Sequence, residues 1–166
     1  MKKYLILCVD DERDVLDSVI QDLSPLEEYF VIEAAESVSE AQEVIADALV
    51  DEMPLALILC DHIMPEYRGV DFLIALKKQE HTRQAKKLLL TGQADLEATI
   101  QAVNSACLDF FITKPWNGDS LLQTVTDQLT NYMIENEKDL MPWARVLDTV
   151  KIFEALNQRR SELASD

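Results

Sequence analysis

Glycine is scarce in this chain, with three in 166 residues, at positions 69, 92 and 118. No G-x-G-x-x-G or Walker pattern can be assembled from them, so nucleotide-binding α/β proteins that cradle phosphate on a glycine-rich loop are disfavoured. Cysteine is equally sparse, and odd in number: Cys8, Cys60 and Cys107 show no C-x-x-C spacing. That argues against a zinc site and against a disulfide framework, and leaves reduced, buried thiols as the reading. Positive charge is the third deficit, since 15 Lys plus Arg face 31 Asp plus Glu for a formal charge of −16. Such a surface is repelled by nucleic-acid phosphates and by anionic lipid. No apolar run approaches a membrane span. Met1-Lys2-Lys3 and the apolar stretch Tyr4 to Val9 open like a signal peptide, but the stretch is short and Asp10-Asp11-Glu12 follows without a small-residue cleavage site. A cytoplasmic protein is expected.

What is present is a regular alternation of strand and helix. Apolar residues make up 48% of the chain, enough for a core in one domain with an appendage. Strands are expected at 4–9, 30–34, 55–60, 87–91 and 108–112, and helices at 12–23, 38–50, 70–79, 95–105 and 118–134. Val15, Leu16, Val19, Ile20 and Leu23 fall at helical spacing, as do Val38, Ala41, Val44, Ile45 and Leu49, with Ser37 or Ser39 as the cap before the second set. Glycines 69, 92 and 118 and prolines 25, 54, 65 and 115 lie between the elements. Continuously apolar strands alternating with helices predict an α/β fold, a doubly wound parallel sheet.

The polar residues that end those strands carry the chemistry. Leu57-Ile58-Leu59-Cys60 runs into Asp61, Tyr4 to Val9 into Asp10 and Asp11, Leu88 to Leu90 into Thr91, and Phe110 to Thr113 into Lys114. Taken alone, Asp61 reads as a turn residue or helix cap. Parallel strands, however, bring all these ends to one edge of the sheet, where open α/β folds place their sites.

In this order and at these spacings, residues 3 to 132 resemble the receiver domain of two-component response regulators. Asp10 and Asp11 match the family's acidic pair, Asp61 its phospho-acceptor, Thr91 its hydroxyl and Lys114 its lysine, followed by Pro115; Phe111 matches its aromatic switch position. The resemblance implies the flavodoxin-like five-stranded order 2-1-3-4-5. It also implies a cis Lys114-Pro115 bond, a metal ligand from the Ile63 backbone carbonyl, and a phosphoryl donor in a sensor histidine kinase or phosphotransfer protein. On phosphorylation the family's hydroxyl moves toward the phosphoryl group, the aromatic side chain fills the space it leaves, and a protein-interaction face changes.

The residue types fit that chemistry on physical grounds. A carboxylate that attacks phosphorus forms an acyl phosphate, and transfer then needs in-line geometry and positive charge on the equatorial oxygens. Three crowded carboxylates repel one another and raise at least one pKa, which a hard divalent ion relieves; Mg²⁺ suits oxygen ligands and retains waters. Lys114 supplies a flexible point charge, or a plain salt bridge to Asp61 before phosphorylation. Two positions depart from better-known receivers: Ile63 and Gln93, each two residues past a site residue, which by the resemblance flank the route of an attacking water. Isoleucine cannot orient it, whereas Gln93 could, so the phosphoryl lifetime is left open in both directions. An aspartyl-phosphate phosphatase of the haloacid-dehalogenase type is the competing reading, but it places a second aspartate where Ile63 stands. His62 is turned from Asp61 by strand alternation, toward an exposed or packing role.

A receiver at 1–135 leaves 136–166 as a C-terminal helical extension. Asp139 is a candidate cap with Pro142 in the first turn. Trp143, Val146, Leu147, Val150, Phe153 and Leu156 follow at helical spacing. The expectation is a helix over 139–157 that contributes Trp143, Val150 and Phe153 to a homodimer. Folding back on the receiver, or leading to an output domain beyond residue 166, are the alternatives.

Overall fold

The computed structural model describes residues 2–92, 104 and 108–165. Five parallel strands form one sheet: β1 (Leu5–Val9), β2 (Val31–Ala35), β3 (Leu55–Asp61), β6 (Lys86–Thr91) and β7 (Phe110–Thr113), in the order β2-β1-β3-β6-β7. In terms of these five strands this is 2-1-3-4-5, the order the resemblance implies. Between β3 and β6 a two-stranded antiparallel hairpin, β4 (Ile63–Met64) and β5 (Tyr67–Arg68), was not expected from sequence. It turns through Glu66, whose φ of 71° lies in the left-handed region.

The helices are α1 (Arg13–Asp22), α2 (Val38–Val50), α3 (Gly69–Lys77), α4 (Gly118–Asn136) and α5 (Thr149–Ser165). Every residue of β1 and β3 is buried, because both faces of the sheet are covered. Ile6, Cys8 and Leu59 pack with Leu16 and Val19 of α1 and Leu121, Val125 and Leu129 of α4. Their neighbours Leu5, Leu7, Ile58 and Cys60 pack with Ala41 and Ile45 of α2 and Phe72 and Leu73 of α3. The alternation along each strand thus feeds two layers.

Ser37, not Ser39, caps α2, its hydroxyl accepting from the Glu40 amide at 3.1 Å. Observed boundaries match the expected ones to within two residues. The largest strand shift is β7, which begins at Phe110 rather than at 108. Just ahead of it, Asp109 donates its amide to the Lys87 carbonyl and accepts the Lys87 amide on its carboxylate, each at 2.8 Å. The helix expected at 95–105, Gln93 and Cys107 lie outside the described residues. Cys8 and Cys60 are free, buried thiols, and burial pushes both pKa values up. Among the described residues no helix is long and apolar enough to cross a membrane.

The single helix expected over 139–157 is corrected. Residues Met141–Trp143 form a 3₁₀ turn, and α5 starts only at Thr149. Leu140 stands at the N-cap of the 3₁₀ turn, and the Asp139 carboxylate just before it accepts the Met141 amide at 3.3 Å. The cap of α5 is Asp148, whose carboxylate accepts the Lys151 amide at 3.1 Å. The break lets the Trp143 ring enter the receiver's own core, against Tyr4 and Phe30 at 5.5 and 5.3 Å between centroids. Leu140, Ala144, Leu147 and Ile152 join the same layer. The segment therefore folds back, and Trp143 is not offered to a second copy. Val150 and Phe153 remain exposed. Arg159 locks the arrangement by donating to the carbonyls of Ile134, Glu137 and Lys138 at 2.6, 2.9 and 3.0 Å, serving acceptors left open at the end of α4. Tyr4 donates its hydroxyl to the Glu137 carboxylate beside it.

Candidate functional site

The carboxyl ends of β1, β3, β6 and β7 meet at one edge of the sheet, beside the point between β1 and β3 where the strand order reverses. Asp10 and Asp11 leave β1, and Asp61 is the last residue of β3. One carboxylate oxygen from each lies within 4.8 Å of the others, with Asp10 and Asp61 buried and Asp11 exposed. Asp10 is held from below: its amide donates to the Ala35 carbonyl at 3.1 Å, and its Oδ1 accepts the Glu12 amide at 2.9 Å.

Lys114 spans the pocket. Its Nζ stands 3.0 Å from Asp61 Oδ1 and 3.2 Å from Asp10 Oδ2. Its own amide donates to the Thr91 carbonyl at 2.9 Å, which ties the end of β7 to the end of β6. The Lys114-Pro115 bond is cis, as the resemblance implies. Thr91 is buried at the same edge, its hydroxyl directed to the Gly92 carbonyl at 3.1 Å.

The electrostatics follow from burial and crowding. Burial raises the Asp61 carboxyl to about 6; the Lys114 hydrogen bond and charge oppose this, while Asp10 and Asp11 add to it. Burial pulls the Lys114 ammonium down, but Asp61 and then Asp10 outweigh it, and its pKa stands above the ordinary value. Two anions and half-buried cation leave net negative charge facing Asp11. Three hard oxygen donors of this kind suit a small divalent cation better than a soft one.

Phe111 does not enter the pocket. It is 45% exposed and stacks on Phe110 with centroids 6.3 Å apart. Ile63 sits in β4 with its side chain 65% exposed, so no polar side chain stands two residues past Asp61. His62 is buried, which selects the packing role, and its amide donates to the Leu90 carbonyl at 3.1 Å.

Two features escaped the sequence reading. A Cβ on Gly69 would stand 2.1 Å from the Asp61 carbonyl oxygen, so the returning hairpin needs glycine there to pass the acceptor's backbone. The Gly69 amide donates to the His62 carbonyl at 2.8 Å and closes the loop. In the sequence, Gly69 stood between the expected elements, just ahead of the helix expected at 70–79, with nothing to mark the close approach. The second feature is Trp116, whose indole N–H donates to Asp22 Oδ2 at 2.8 Å.

Fold and pocket together define a flavodoxin-like α/β domain with an acidic site and a lysine at its strand ends. A family model described as the response regulator receiver domain matches residues 6–126, and the chain belongs to that family. It is 36% identical over 124 residues to the hydrogenase transcriptional regulatory protein HoxA of Cupriavidus necator, covering 75% of this chain and 24% of HoxA. A Vibrio cholerae protein named "Probable cyclic di-GMP phosphodiesterase" is 29% identical over 141 residues, covering 85% of this chain and 29% of that protein. The chain thus spans about a quarter of the length of these relatives. Among solved structures, a CheY-like receiver domain protein from Methanospirillum hungatei superposes with a TM-score of 0.68 at 29% identity, covering 81% of this chain and 100% of that one.

Proposed function

We propose that Asp61 accepts a phosphoryl group from a sensor histidine kinase or phosphotransfer protein, and that the chain acts as a signalling switch rather than as an enzyme. The observation that carries this reading is Lys114, bridging Asp61 and Asp10 at 3.0 and 3.2 Å beside Asp11. An Asp61 oxygen attacks phosphorus in line, the bond from phosphorus to the donor's imidazole nitrogen breaks, and the electron pair leaves with that nitrogen. Asp10, Asp11, Asp61 and the Ile63 backbone carbonyl would hold Mg²⁺, which neutralises charge on the phosphoryl oxygens when bound. Lys114 gives up its bond to Asp61 and takes a phosphoryl oxygen. The Thr91 hydroxyl turns from the Gly92 carbonyl to another oxygen, and Phe111 moves from its exposed position into the space vacated.

Ile63 offers no side chain to orient water, and no aspartate stands there to serve as general acid, so turnover of external phosphate esters is not favoured. In this reading residues 1–135 are the receiver and 136–166 an extension packed on it, in a cytoplasmic protein with no direct nucleic-acid contact. The share of its relatives that the chain spans supports a second reading, the receiver of a larger regulator whose output lies beyond residue 166. An α5-mediated homodimer has Val150 and Phe153 to bury, without Trp143. Incubation with Mg²⁺ and phosphoramidate, followed by intact mass, tests the main proposal. One added phosphoryl group is expected; no mass gain, or a gain indifferent to Mg²⁺ removal, would sink it.

A further inference from the structure

The loop after Lys114 reaches across to the end of α1. Asp22 is the last residue of α1, and its Oδ2 accepts the Trp116 indole N–H at 2.8 Å. The other oxygen of the same carboxylate lies against Gly118, the first residue of α4, where a Cβ would come within 2.7 Å of Oδ1. A carboxylate at a helix N-terminus is favourably placed with respect to the backbone dipoles. Asp22 therefore meets the turn that connects the lysine to α4 at its middle, through Trp116, and at its far end, against Gly118. A cleft of about 540 Å³ runs alongside, lined by Val15, Ser18 and Gln21 of α1 and by Pro115 and Trp116.

Lys114 needs such a tether. Its ammonium must be held near 3 Å from two carboxylates, yet it sits on a flexible four-carbon stem. The stem's root is fixed on one side by the Lys114 amide on the Thr91 carbonyl at 2.9 Å. On the other side, Asn117 is committed to capping α4 through the Ser120 amide at 3.1 Å. Trp116 lies between these anchors. Its bond to Asp22 fixes the turn laterally against α1, which is itself packed on the sheet beside Asp10.

We propose that Asp22 and Trp116 form a positioning pair that holds the Lys114 turn in register for phosphoryl transfer to Asp61. Neither residue touches the phosphoryl group; both act through the lysine. The inference rests on the phospho-acceptor reading above. Misplacement of a charge-stabilising group by about 1 Å can cost up to about 100-fold in rate, and a partly loosened turn should cost less.

The test is the rate of phosphorylation from phosphoramidate at saturating Mg²⁺ in the full chain. Trp116→Phe keeps a ring and removes the donor; Asp22→Ala removes the acceptor; Asp22→Asn keeps an acceptor oxygen. The rate constant at saturating phosphoramidate should fall about tenfold in Trp116→Phe and in Asp22→Ala, with the half-saturating concentration changed less than about twofold. Asp22→Asn should remain close to the parent chain, and the Trp116→Phe/Asp22→Ala double variant should be no slower than either single one. Emission from buried Trp143 reports that each variant is folded. If both single variants keep the parent rate, if Asp22→Asn is as slow as Asp22→Ala, or if the losses multiply, the pair has no positioning role. A parent chain that takes up no phosphate overturns the phospho-acceptor reading and this inference together, whereas a labelled parent with unaffected variants overturns this inference alone.

Discussion

Trp143 meets Tyr4 edge-on, with ring centroids 5.5 Å apart and planes at 73°. That contact joins the C-terminal segment to the residue that precedes the first strand of the sheet. Trp143 is 3% exposed and Tyr4 1%, so both rings count as core. Trp143→Ala should lower stability by about 3–5 kcal/mol, the usual loss for a large buried aromatic. A chain ending at Glu137 should be destabilised at least as much and expose the Tyr4 and Phe30 rings. Urea denaturation of the three proteins checks this; equal midpoints would mean that the segment is only loosely laid on the receiver.

Gly69 is the position where the hairpin passes the acceptor's backbone. Gly69→Ala places a methyl group 2.1 Å from the Asp61 carbonyl oxygen, a backbone atom that cannot rotate away. The expected result is a stability loss of about 1–3 kcal/mol from overpacking, together with slower phosphorylation because Asp61 is displaced. Thermal denaturation and the phosphoramidate assay read the two effects separately.

Asp61 also makes the metal-free protein pH-dependent. Its carboxyl is raised from 3.8 to about 6, chiefly by burial. The folded state therefore binds this proton more tightly than the unfolded chain does. The stabilisation is fully present below pH 3.8 and is lost as pH rises through about 6. Compared with the parent, Asp61→Asn should flatten stability between those limits and leave the metal-free protein more stable at pH 7. Denaturation midpoints across that range, in chelator, provide the measurement. Mg²⁺ titration near pH 6 should release protons in the parent and fewer in Asp61→Asn.

Arg159 makes a further stability prediction. It serves three carbonyls at and just past the end of α4. A hydrogen bond involving a charged group contributes about 1.5–3 kcal/mol net when buried, and less where the donor is partly exposed. Arg159→Met, which keeps an apolar stem, should lower the denaturation midpoint clearly, while Arg160→Met, on the exposed side, should leave it unchanged.

The sheet was legible because its strands are continuously apolar and end in charged or hydroxyl residues. Five site residues at four strand ends point to one pocket, since parallel strands leave those ends no other edge to occupy. The C-terminal segment was misread for an equally physical reason. Trp143, Val146, Leu147, Val150 and Phe153 keep helical spacing whether or not the chain breaks between them. Asp148, the actual cap, was one more acidic residue in an acidic chain, and Asp139 with Pro142 offered a helix start that proved to be a 3₁₀ turn. Gly69 depends on a close backbone approach across the hairpin, and the Asp22–Trp116 bond joins elements far apart in sequence; no local pattern encodes either.

The central claim is that Asp61 itself carries the phosphoryl group, and borohydride trapping tests it most directly. An aspartyl phosphate is reduced to homoserine, so peptide mapping after phosphoramidate and Mg²⁺ locates the modified residue. The account predicts homoserine at position 61 in the parent chain and none in Asp61→Asn or without Mg²⁺. Homoserine at Asp10 or Asp11, or phosphate recovered on His62 or His81 with Asp61 unmodified, would contradict it.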